Sequence, residues 1–189
     1  MNLTVRERAE TVATLRHIEI TMMETLSRWV PTTPMMEVKV LFGRHIWETA
    51  QHADILGRRT HELRAPMHLT LPPVSTYATF LADLAAVQPQ SQRVSAFYDV
   101  MLPAVIARCR AYIERTDTLL DEPTVRIMKR IIADSESMID ESKRLRSEHP
   151  DLSLVDAGWR AELAARERGI DSFVASRDRA VTETEASHA

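Results

Sequence analysis

Residues 37 to 54 read Glu37-Val-Lys-Val-Leu-Phe-Gly-Arg-His-Ile-Trp-Glu-Thr-Ala-Gln-His-Ala-Asp54. Successive residues of an α-helix turn by about 100°, which places Val38, Leu41 and, further on, Leu56 and Leu63 on one face. His45 and His52 fall within that face, two turns apart. Glu48 and Thr49 flank the line between them. The pattern His45-x-x-Glu48-x-x-x-His52 therefore offers a ladder of ligands or acid/base groups on the apolar side of a helix.

Upstream, Thr4 can cap a first helix that runs to about Val30, where Pro31 and Pro34 end it. Val12, Leu15, Met22, Met23, Leu26 and Val30 share its apolar face, and Glu19 lies in the middle of that face. A carboxylate there is costly unless it is paired or metal-bound, so Glu19 calls for a partner. The second helix is expected to run from after Pro34 to about Arg64. Residues 65 to 73 read as loop, followed by a short helix capped by Ser75 over Tyr77 to Val87 and a break at Pro89.

Downstream, a third long helix is expected over Arg93 to Thr116, kinked by the internal Pro103. It buries Tyr98, Leu102, Val105, Cys109, Tyr112 and Ile113, with no carboxylate on that stripe. Asp121 and Glu122 before Pro123 open a fourth helix that reaches about Glu148. It buries Met128, Ile131, Met138 and Ile139 around a central Ser135, with Asp134 and Glu136 read as rim positions. A fifth helix is expected over Asp156 to Arg168, docked by Trp159 and Leu163. These elements form one domain, 1–175, followed by a polar tail, 176–189, expected to be disordered.

Composition narrows the functional classes. Four glycines in 189 residues, with abundant Ala, Leu, Arg and Glu, favour an all-α fold. A formal charge of −3 without a basic face argues against a nucleic-acid partner. Cys109 is the single cysteine, so an internal disulfide is excluded and a structural zinc site is not expected. No apolar run approaches the length of a membrane span and Met1 to Glu10 contain no apolar leader core, so a cytoplasmic location is expected.

The stretch from Glu37 to Asp54 resembles the second helix of a bacterial ferritin-like group. Asp121-Glu-Pro-Thr-Val-Arg-Ile-Met-Lys-Arg-Ile-Ile-Ala-Asp134 resembles the opening of its fourth helix. The likeness covers residues 10 to 145. It implies a ferritin-like four-helix bundle, two hairpins joined by a long crossover, here with an extra C-terminal helix. Di-iron and di-manganese members of that superfamily take one Glu from each of two helices and a Glu-x-x-His pair from each of the others. Glu19 matches the first lone Glu and His52 matches a histidine. Position 49 is Thr, the third helix supplies no acid, and the fourth-helix pair falls on Ser135 and Met138. The resemblance thus implies a degenerate site. Glu19, Glu48 and His52 could hold a single iron or manganese ion, or the site could work without metal.

Three functions follow as expectations. The first is the binding or transformation of a small-molecule ligand in an interior pocket, with Glu19, His45 and His52 as acid/base groups and Tyr112, Cys109, Ser135 and Met138 as lining. The second is a one-metal or rearranged di-metal oxidoreductase. The third is a non-catalytic interaction protein whose buried polar groups set specificity. A homodimer is compatible with each.

Overall fold

A computed structural model describes residues 3–175; the polar tail read at 176–189 lies outside the described residues. The fold is all-helical. Among the described residues there is no β-strand, only an isolated bridge between Pro73 and Val174, and no helix is long and apolar enough to cross a membrane.

Helix α1 spans Val5–Trp29 and opens with a capping box. The Thr4 hydroxyl accepts from the Glu7 amide at 3.2 Å and the Glu7 carboxylate accepts from the Thr4 amide at 2.7 Å, an arrangement of the kind that contributes about 1 kcal/mol. Helix α2 spans Met36–Glu62. Gly43 lies in its interior, where glycine costs about 1 kcal/mol relative to alanine. A Cβ added there would meet nothing within 4 Å, so packing within the chain does not account for this glycine.

Helix α3 spans Ser75–Ala85. It corrects the sequence reading at both ends: Ser75 is the first helical residue and not a side-chain cap, and the helix stops before Val87. The third long helix is built from α4, Gln90–Ser95, a π-helical stretch over Ala96–Met101, and α5, Leu102–Arg115. It begins three residues before Arg93, and the expected kink at Pro103 becomes a widened turn. Pro103 has no N–H to donate to Asp99, and in an α-helix its ring would press on that carbonyl. The π stretch, in which the Leu102 amide donates to the Phe97 carbonyl, adjusts the backbone just ahead of the proline.

Helix α6 spans Glu122–Glu148, with Pro123 in its first turn, and α7 spans Ala157–Arg168. Asp156 caps α7 by accepting from the Trp159 amide at 2.6 Å. Leu163 is buried, and Arg108 of α5 binds the Glu167 carboxylate at 2.9 Å, which ties α7 to the body.

Cross-helix bonds fix the arrangement. Arg16 and Glu19 of α1 meet Ala53 and His52 of α2, so these helices run antiparallel. Arg44 and Arg59 of α2 meet Glu141 and Thr124 of α6, again antiparallel. Asp99 and Arg110 meet Arg146 and Glu136, so the α4–α5 helix is antiparallel to α6. After α2 the chain returns to the α1–α2 turn, where the Trp29 indole donates to Ala85 O at 2.9 Å and Arg93 donates to the Thr32 hydroxyl at 2.9 Å. Leu15, Ile18, Met22, Leu26, Phe42, Leu56, Phe97, Met101 and Met128 fill the core between the helices.

Asp121 closes one end. It is fully buried, and its carboxylate accepts from Tyr112 Oη at 2.6 Å, Thr116 Oγ1 at 2.9 Å, Thr124 Oγ1 at 2.5 Å and Arg59 Nη2 at 2.9 Å. Burial alone would raise its pKa, but these hydrogen bonds outweigh burial and hold it below the usual aspartate value. One carboxylate thereby joins α2, the end of α5 and the start of α6.

Candidate acid/base site in the bundle interior

His52 is fully buried on α2 and has a carboxylate at each ring nitrogen. Nδ1 lies 3.4 Å from Glu19 Oε2 of α1, and Nε2 lies 3.1 Å from Asp134 Oδ2 of α6. An imidazole can donate from both nitrogens only as the imidazolium. Burial disfavours that charge, but Glu19 and then Asp134 overcome the effect and raise the pKa of His52 above its ordinary value.

The two carboxylates differ in access. Glu19 is 1% exposed, whereas the Asp134 side chain is 32% exposed and also lies 3.4 Å from Arg130 Nε. Glu19, His52 and Asp134 therefore form a line from the core to the surface. The second Glu19 oxygen, Oε1, has no hydrogen-bond partner, and neither has the buried hydroxyl of Ser135, the residue after Asp134. Buried polar atoms are nearly always satisfied, and among the described residues these two share their lack of a hydrogen-bond partner with His45 Nε2, Tyr77 Oη and Ser142 Oγ.

His45 does not join this group. Its Nδ1 is 2.7 Å from Tyr98 Oη, and its Nε2 is 3.5 Å from Glu141 Oε2. Burial is the dominant influence and lowers its pKa to about 4 against the opposing pull of Glu141. His45 is accordingly neutral near pH 7. In the tautomer that carries its proton on Nε2, Tyr98 donates to Nδ1 and the proton faces Glu141. The π stretch carries Tyr98, so the local geometry imposed around Pro103 also serves this contact.

The other residues singled out from sequence are dispersed. Glu48 is half-buried and makes no hydrogen bond or ion pair among the described residues. Thr49 turns its hydroxyl to the carbonyls of His45 and Ile46. Tyr112 is committed to Asp121. Met138 and Cys109 are buried, and burial, then the nearby Glu19 charge, pushes the Cys109 thiol upward, which keeps it protonated. Sequence reasoning missed Asp134 and Glu141, treating the first as rim and passing over the second. Their separation of seven residues on α6, equal to that of His45 and His52 on α2, was the available signal.

Among the described residues no group of three or more His, Cys, Asp or Glu side chains is arranged to hold a metal ion. Both nitrogens of His52 are engaged by carboxylates, and Thr49, Ser135 and Met138, which the sequence resemblance expected at ligand positions, are neutral. As folded, this donor set does not fit a pair of hard cations. Comparison with protein-family models, curated proteins and solved structures finds no match to the chain.

Proposed function

We propose that the chain is a ferritin-like bundle whose interior carries an acid/base relay where a di-metal centre would stand, and that it binds or transforms a small polar molecule there. The return of the chain from the end of α2 to the α1–α2 turn supports the ferritin-like reading, because it is what a crossover between two hairpins requires. The observation that carries the functional reading is a buried histidine held between two carboxylates, one of which, Glu19, keeps a buried oxygen without a partner.

In this reading the ligand donates to Glu19 Oε1 and meets the Ser135 hydroxyl. His52 exchanges a proton with it through Glu19, and Asp134 passes that proton to solvent. A carboxylate and an imidazolium in contact exchange a proton readily once a third group alters the charge on either. No oxidant or metal is needed for such a transfer.

A crystal structure of the protein, with and without Glu19→Gln, tests the proposal. Density for a molecule larger than water between Glu19 and Ser135, lost in the variant, is expected. A water-sized peak unchanged by the substitution overturns the reading.

A further inference from the structure

The face of α2 that looks away from the interior carries a separate feature. Met36, Val40 and Trp47 are 65%, 54% and 63% exposed. With Gly43 between the last two, they follow helical spacing along one line. We propose that this line is the docking surface for a second copy of the chain, with the two α2 helices antiparallel about a twofold axis.

Gly43 favours such a pairing. It weakens the middle of α2, and nothing within the chain needs the missing side chain. A bare backbone at the centre of an apolar line gives another helix room to approach closely. The flanking charges favour the same pairing. Glu37 and Arg44 border the same edge of the line, seven residues apart. An antiparallel pairing sets each Glu37 against Arg44 of the other copy, twice by symmetry. A parallel pairing would instead bring Lys39 against Arg44. Arg44 contacts Glu141 at 2.5 Å but remains 58% exposed, and its guanidinium has donors to spare for a second carboxylate.

The surroundings suit the same partner. A groove of about 350 Å³ opens along this edge, lined by Glu37, Val40, Leu41 and Arg44 of α2 and by Glu141 and Leu145 of α6. In the antiparallel arrangement Trp47 of the second copy comes opposite Met36, beside this groove. Three large apolar side chains make a small centre, so the association belongs to the weak, reversible class.

Sedimentation velocity on the full chain over a concentration series tests this. The wild-type protein is expected to move from monomer to dimer as concentration rises. Trp47→Glu should weaken dimerisation by about tenfold or more. Gly43→Ala should raise the melting temperature of the monomer while weakening the dimer, a combination that a purely structural glycine would not give. A wild-type chain that stays monomeric throughout, or a dimer whose constant either substitution leaves unchanged, overturns the proposal. Neither substitution touches Glu19 or His52, so the result is independent of the interior reading.

Discussion

His52 meets Asp134 across the α2–α6 interface at 3.1 Å, and the same interface repeats the relationship two turns away between His45 and Glu141. Both pairs hold one antiparallel register, each with histidine on α2 and an acid on α6. The balance between burial and the neighbouring carboxylates then sets the direction of each pKa shift. His52 has the Glu19 carboxylate behind it and is driven toward the imidazolium, whereas His45 has the Tyr98 phenol and stays neutral. Two residues of one type on one helix face thus have their pKa values shifted in opposite directions.

The first prediction concerns His52. NMR titration should place its pKa above the ordinary histidine value, and Glu19→Gln should bring it down. A group whose pKa is raised by folding stabilises the protein below its unfolded value of about 6.5, and that stabilisation disappears as pH rises through the folded pKa. Chemical denaturation from pH 6 upward should record this loss, and Glu19→Gln should flatten it. A titration at the ordinary value in both proteins would remove the relay.

His45 has the opposite sign. Its folded pKa of about 4 lies below the unfolded value, so the unfolded chain takes up the proton first on acidification. Stability should fall between about pH 6.5 and pH 4, by up to about 3 kcal/mol. His45→Gln should shrink that loss in denaturation experiments over the same range. Together the two histidines place their joint optimum near pH 6.5, the unfolded value that they share.

Asp121 is expected to be the most sensitive single position for folding. Asp121→Ala leaves the Arg59 guanidinium and three hydroxyl groups without their common acceptor and should cost about 3–5 kcal/mol by urea denaturation. Tyr112→Phe removes one donor from a carboxylate that keeps the others and should cost about 1–3 kcal/mol. A loss for Asp121→Ala no larger than that for Tyr112→Phe would show that the cluster is dispensable.

Ser135 should behave in the other direction. Its buried hydroxyl has no partner in the free chain, so Ser135→Ala removes a desolvated polar group and should stabilise the ligand-free protein by about 1 kcal/mol. Differential scanning calorimetry provides the measurement. A clear drop in melting temperature would mean that the hydroxyl is satisfied in the free protein.

Much of the architecture was legible because it depends on short-range rules. The Thr4–Glu7 capping box, the prolines at 31, 34, 66 and 123, and the apolar periodicity of α1, α2 and α6 mark helices by local chemistry. Glu19 and His52 were legible as a pair because each stood alone as a polar group on an apolar stripe. Asp134 was not, since its position on α6 points it toward the rim and its role depends on how closely α6 approaches α2. The Tyr98–His45 contact was hidden for a related reason. Tyr98 and His45 each lie on a buried stripe, but their pairing depends on how closely the third long helix approaches α2.

That widened turn over Ala96–Met101 divides the third long helix into two parts whose side chains no longer share one angular phase. An added residue in a helix rotates everything beyond it by about 100°. Tyr98, within the turn, meets His45, and beyond it Tyr112 of the same rod meets Asp121. Deleting one residue within 96–101 would restore a regular helix and turn the segment beyond it relative to the one before. The irregularity therefore sets the rotational phase between the Tyr98 and Tyr112 clusters, which a regular helix would set differently.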